Sequence, residues 1–249
     1  DLTVLSAEPN GLNINDGCGA LHPERLARKV VETGSDLGVA LDGDADRVIF
    51  CDADGRILNG DRIIGLCAID YMRRGRLKNG AVAITTQSNM GLADALKREG
   101  IRVEWTGVGD RCVIERIREK DLNLGGEQSG HMIFLDYSTT GDGLISALHV
   151  LALMKRTEKP LAELADFMQE YPQLQNSVRV REKIPLDRCS GVMKVWNEAK
   201  AALDGRGRVI VRYSGTENKI RTLVEARAEA DAHRWHDALD RAIREELEA

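Results

Sequence analysis

Between residues 37 and 154 the chain alternates short apolar runs with stretches whose apolar residues recur at helical spacing. No other feature restricts its fold as much. Leu37-Gly38-Val39-Ala40-Leu41 reads as a buried strand, and residues 48–51 read as a second, followed by an Asp54-Gly55 turn. Asp61 is placed to cap a helix that carries Ile63, Ile64, Cys67, Ala68 and Met72. Residues 81–85 form a strand, 90–99 a helix stopped by Gly100, and 101–105 a strand. Val113 and Ile117 sit in a helix, residues 122–125 enter a glycine-rich loop, and 132–135 form another strand. Asp142 caps a helix whose apolar positions are Leu144, Leu148, Leu151 and Met154. Alternation of this kind packs as parallel or mixed sheets flanked by helices, the α/β class.

The flanks differ. Residues 1–5 resemble the second half of a strand, with no initiator methionine and no signal-peptide pattern, so the chain is expected to be part of a longer protein. A polar, glycine-containing stretch over 8–19 leads to His22-Pro23-Glu24, which opens a helix with Leu26, Val30 and Val31 on its apolar side and Gly34 at its end. Around Tyr171 the pattern changes. Residues 177–180 alternate as a strand, 191–203 are helical, and strands at 209–213 and 220–225 bracket a polar loop. A charged helix from about residue 231, with Trp235, Leu239, Ile243 and Leu247 on one side, closes the chain. This β-α-β-β-α pattern predicts a smaller α+β domain joined by a hinge at Tyr171-Pro172. The pattern places one domain boundary, near residue 170.

Composition excludes several classes. A net charge of −5 with 4% aromatic residues argues against a nucleic-acid binder. No apolar run approaches the roughly 20 residues of a membrane span. Five scattered cysteines without a C-x-x-C pair fit a reducing cytoplasm better than a disulfide framework or a zinc site.

Three loops carry chemistry. Asp42-Gly43-Asp44-Ala45-Asp46-Arg47 follows an apolar strand and offers three hard carboxylates at i, i+2 and i+4, a donor set suited to Mg²⁺. An EF-hand is excluded, because Arg47 and Ala53 stand where that loop needs glycine and glutamate. A D-x-D phosphatase with Asp42 as nucleophile and a solvated acidic turn stay open as rivals. In Gly125-Gly126-Glu127-Gln128-Ser129-Gly130-His131, Glu127 and Ser129 can hold neighbouring sugar hydroxyls and His131 offers a proton acceptor, against the alternative of a structural histidine. In Arg212-Tyr213-Ser214-Gly215-Thr216-Glu217-Asn218-Lys219-Ile220-Arg221, two hydroxyls, the backbone N–H groups near Gly215 and two guanidiniums can surround a phosphate; a polar hairpin turn is the alternative.

In this order the three loops resemble the magnesium, sugar and phosphate loops of the α-D-phosphohexomutase family, most closely its bacterial branch acting on glucosamine phosphates. Val108-Gly109-Asp110-Arg111, Thr139-Thr140-Gly141-Asp142-Gly143 and residues 8–15 are similar to that branch too, and Gln128 favours it over the glucose and mannose branches. Asn218 stands where proline is common, and Cys112 where an aromatic residue is usual. The family's phosphoserine motif, Thr-Ala-Ser-His-Asn-Pro, does not occur in these residues.

The resemblance implies the end of the family's second domain (1–58), its third domain (59–169) and its C-terminal phosphate-binding domain (170–249). It implies interconversion of glucosamine 6-phosphate and glucosamine 1-phosphate through a phosphoserine and a bisphosphate. Phosphomannomutase or phosphoglucomutase activity, or a non-catalytic phosphosugar-binding module, are the alternatives. It assigns Mg²⁺ to Asp42, Asp44 and Asp46, catalysis to Arg47 and His131, and substrate contacts to Arg111, Glu127, Ser129, Arg212, Ser214, Gly215, Thr216 and Arg221. A phosphorylated hexosamine is the expected partner, with a homodimer in the cytoplasm, no nucleic acid and no membrane. These residues alone are expected to be inactive.

Overall fold

The computed structural model describes residues 1–248, and the chain divides after Gln169 into two units. In the first, residues 1–23 are irregular. The strand expected at 1–5 does not form, because no neighbouring strand pairs with it among the described residues, and Leu2 and Val4 are exposed. Helix α1 (Glu24–Thr33) ends at Gly34 and lays Ala27 and Val30 against Cys51; Val31, expected on that side, faces solvent. Strands β1 (Leu37–Leu41), β2 (Val48–Asp52) and β3 (Ile57–Leu58) form an antiparallel sheet in that order. The Leu41↔Val48 register leaves residues 42–47 as the connecting loop.

Helix α2 (Gly60–Arg73) is capped by Asn59, whose Oδ1 accepts from the Arg62 N–H at 3.3 Å. Asn59 has the extended backbone a cap requires, whereas Asp61, read as the cap, already lies in the first turn and is fully buried. Then follow β4 (Ala81–Thr85), α3 (Met90–Arg98), β5 (Arg102–Thr106), α4 (Asp110–Glu119), β6 (Leu124–Gly126), β7 (Met132–Phe134), α5 (Gly143–Thr157) and α6 (Leu161–Leu164). The second sheet has the order β5-β4-β6-β7, with β4 parallel to β5 and β6, and β7 antiparallel to β6.

Strand periodicity divides the core. Val82 and Ile84 of β4 pack with Ile63 and Ile64 of α2, Phe50 and Leu58 of the small sheet, and Val150 and Leu153 of α5. Ala81 and Ala83 pack with Val113 and Ile117 of α4. The side of α5 expected to be core is largely outside: Leu144, Leu148 and Leu151 are exposed, while Ser146, Ala147, Val150 and Leu153 are buried.

In the second unit β8 (Gln173–Arg179), α7 (Ser190–Ala202), β9 (Gly207–Tyr213), β10 (Lys219–Ala226) and α8 (Glu229–Leu247) give the β-α-β-β-α order. β10 lies between β8 and β9, antiparallel to both. Trp235, Leu239, Ile243 and Leu247 of α8 are buried with Val178, Val211, Ile220 and Val224 of the sheet and Val192 and Ala199 of α7. Among the described residues no helix is long and apolar enough to cross a membrane.

Candidate functional site

In the first unit β4 runs parallel to a neighbour on each side, so the chain passes from β4 to β5 on one side of it and from β5 to β6 on the other. The carboxyl ends of strands at such a reversal form the crevice where open α/β sheets bind ligands. The loop after β6 is Glu127-Gln128-Ser129-Gly130-His131.

The β1–β2 loop reaches the same place. Its three carboxylates, on Asp42, Asp44 and Asp46, offer oxygens that lie within 4.8 Å of one another. The loop is shaped by its own contacts: the Arg47 N–H donates to Asp42 Oδ1 at 3.1 Å, the Ala45 N–H to the Asp42 carbonyl at 3.2 Å, and Ala45 takes a left-handed φ of 58°. The Arg47 guanidinium lies 3.9 Å from both Asp42 and Asp46. Burial, together with the neighbouring Asp42 and Asp44, pushes the Asp46 carboxyl above its ordinary range, while His131 draws it down. Converging hard-oxygen ligands with mutual repulsion are the donor set a Mg²⁺ ion fits.

The 42–47 loop and the 127–131 loop are fastened together. His131 Nδ1 and Asp46 Oδ2 are 3.0 Å apart, Arg47 and His131 form an antiparallel bridge, and the Val48 N–H donates to the Gly130 carbonyl at 3.1 Å. The His131 ring is buried, and a Cβ on Gly141 would come within 2.4 Å of it, so Gly141 packs directly against the ring. Sequence reading named Gly141 only through a resemblance; its contact explains why a side chain is absent.

Glu127 Oε1 accepts from the Gly109 N–H at 2.9 Å, which ties the loop before α4 to the 127–131 loop. Ser129 is exposed beside it. Arg111 is not drawn into this cluster: its side chain extends into solvent and pairs with Glu115 at 2.8 Å on α4. Asp61, Gly60 and Asn89, which sequence reading did not place at the site, support the loop from beneath. Their signal is absent from the motif because they lie on other elements.

In the second unit Ser214, Gly215 and Thr216 occupy the β9–β10 loop, and Arg212 and Arg221 face one another across the two strands. Ser214 is buried; its N–H donates to the Lys219 carbonyl at 2.8 Å and its carbonyl accepts from Lys183 at 2.7 Å. Gly215 and Thr216 are exposed. Glu217 pairs with Lys219 at 2.6 Å and Arg221 at 3.2 Å, and the Lys219 ammonium foremost holds its carboxyl below the usual range.

Comparison with known proteins follows the same division. Profiles of the phosphoglucomutase/phosphomannomutase family match twice, its alpha/beta/alpha domain III over residues 59–171 and its C-terminal domain over 176–242. The phosphoglucosamine mutase of Geobacter sp. (strain M21) is 49% identical over 247 residues, 99% of this chain and 54% of that protein. That of Bacillus subtilis (strain 168) is 44% identical over 247 residues, 99% and 55% respectively. The chain spans about half the length of these curated relatives. Among solved structures, Aspergillus fumigatus N-acetylphosphoglucosamine mutase matches with a TM-score of 0.76 at 20% identity, over 94% of this chain and 53% of that one. Its complex with GlcNAc-6P and magnesium gives 0.73 at 22% identity, over 93% and 53%. At these identities the likeness bears on the fold alone.

Proposed function

Because the chain belongs to the phosphoglucomutase/phosphomannomutase family, we propose that it carries the metal, sugar and phosphate loops of an enzyme interconverting glucosamine 6-phosphate and glucosamine 1-phosphate. Curated relatives named phosphoglucosamine mutase, at 44–49% identity, support the amino-sugar branch over the glucose and mannose branches. In this reading residues 1–58 end the family's second domain, 59–169 form its third and the remainder its fourth. A cytoplasmic location and a homodimer belong to the same proposal.

The observation that carries the reading is the 3.0 Å contact between His131 Nδ1 and Asp46 Oδ2. It makes one centre of two motifs that are each weak alone. Asp42, Asp44 and Asp46 would hold Mg²⁺, whose chemistry there is to neutralise charge on a phosphoryl group. Arg47 adds a further positive charge beside the carboxylates. His131, read from the sequence as a proton-transfer residue, is assigned instead to holding Asp46 in position, since its Nδ1 is engaged and its ring enclosed. Glu127 and Ser129 would hold sugar hydroxyls, with Arg111 contributing only if its exposed side chain turns from Glu115. Arg212, Ser214, Gly215, Thr216 and Arg221 would grip a phosphate group, Glu217 being displaced from Arg221 when they do.

The reaction needs an enzyme phosphoserine, and the motif that would supply it is not among these 249 residues. The chain itself is therefore proposed to bind metal and phosphosugar without turnover. Calorimetry with glucosamine 6-phosphate and Mg²⁺ tests this. Binding is expected, weakened about tenfold in Glu127→Ala by loss of charged hydrogen bonds. No binding by the unaltered chain contradicts the reading, and phosphate trapped on Asp42 would favour the D-x-D phosphatase instead.

A further inference from the structure

The Asp61 carboxylate is 0% exposed, in the first turn of α2. Its Oδ2 accepts hydrogen bonds from two separate loops, from the Asn89 backbone N–H at 2.7 Å and from Gln128 Nε2 at 3.1 Å. Asn89 in turn caps α3, its Oδ1 accepting from the Gly91 N–H at 2.9 Å. The Gln128 carbonyl accepts from the Gly60 N–H at 2.9 Å, and a Cβ on Gly60 would lie 2.1 Å from the Glu127 carbonyl oxygen. The start of α2 is thus in direct backbone contact with the sugar loop, with a carboxylate bonded to the loops that follow β4 and β6.

A buried carboxylate is tolerated when hydrogen bonds compensate its lost hydration, and the positive end of a helix adds to that. Here the compensation comes from the groups that shape the crevice. The Gln128 amide therefore donates inward, to the scaffold.

We propose that Asp61 is the positioning residue of the sugar loop, and that Gln128 serves this brace instead of reading the substituent at C2 of the sugar. The inference rests on the reading of residues 127–131 as sugar-binding. It places the preference for an amino or a hydroxyl group at C2 on other side chains of the site, with Asp61 and Gln128 setting how firmly the loop presents Glu127 and Ser129.

Removing Asp61 takes a buried acceptor from the Asn89 N–H and can unfold the unit, so the deciding variant is Gln128→Met, which keeps the length and deletes the amide. Amide hydrogen exchange on the whole chain, without ligand, reads the brace. Exchange at Gly60 and Gly109, whose N–H groups are bonded to the loop, accelerates about tenfold in the variant while β4 is unchanged. Unchanged exchange at Gly60 overturns the brace. Titration with glucosamine 6-phosphate and with glucose 6-phosphate reads specificity. Both affinities fall by the same factor, leaving their ratio within about twofold. A larger shift in that ratio means that Gln128 reads C2 and overturns the second half of the proposal. If the unaltered chain binds neither sugar phosphate, the sugar-binding reading fails, and exchange at Gly60 still decides whether the brace exists.

Discussion

At residue 141 a single methyl group would displace the His131 ring. A Cβ there would lie 2.4 Å from the His131 ring, whose Nδ1 is 3.0 Å from Asp46 Oδ2. Gly141→Ala is expected to cost about 1–3 kcal/mol through overpacking and to weaken Mn²⁺ binding, because the ring must leave Asp46. Thermal unfolding and a metal titration check the two effects; an unchanged metal affinity would show that the ring does not position the carboxylate. Buried thiols give a pH prediction. Burial pushes Cys67 up to about 12 and Cys51 up to about 11. Folded pKa values above the unfolded one mean that stability is full below about pH 9 and is lost as the pH rises toward 11 and 12, where the unfolded chain has already released these protons. Urea unfolding between pH 8 and 10.5 should show falling stability, with a smaller slope in Cys67→Val; an equal slope in both would refute the assignment. The acidic triplet was legible from sequence because spacing alone brings it together. Asp61 was not, since a buried carboxylate and a capping one look alike until their partners are known.

Helix α5 shows why elements are harder to read than motifs. Leu-Ile-Ser-Ala-Leu-His-Val-Leu-Ala-Leu is apolar on nearly every side, so periodicity cannot say which side is core. Packing against β2 and β7 chose the side with Ala147, Val150 and Leu153. Leu153→Ala should therefore destabilise by about 2–5 kcal/mol, while Leu148→Gln, at a position 64% exposed, stays within about 0.5 kcal/mol. Chemical denaturation of the two variants decides, and the opposite ranking would restore the sequence-based side. Strand β6 escaped notice for a related reason: two of its three residues are glycine, leaving no side-chain alternation to detect. By contrast α8 was readable, because its apolar positions are few and fall on one stripe, which is the buried one.

At the scale of the whole molecule, the first unit carries two of the three loops and the second carries the third, and their order along the chain is what marks the family in the sequence. What the order could not supply was the union of the 42–47 and 127–131 loops, which depends on residues 85 positions apart, Asp46 and His131. With glucosamine 6-phosphate, Mg²⁺ and a bisphosphate activator, the 249-residue chain is expected to form no glucosamine 1-phosphate, since phosphoryl transfer needs an acceptor atom on the enzyme however well the charges are placed. A coupled assay with controls for host contamination checks this, and turnover would refute it. The central claim is that the two loops of the first unit form one metal centre. Paramagnetic broadening by Mn²⁺ tests it most directly: titration should broaden the amides of residues 42–47 together with Gly130 and the His131 ring, at the same metal concentration. Broadening that spares His131, or that concentrates on acidic residues elsewhere on the surface, would contradict the account.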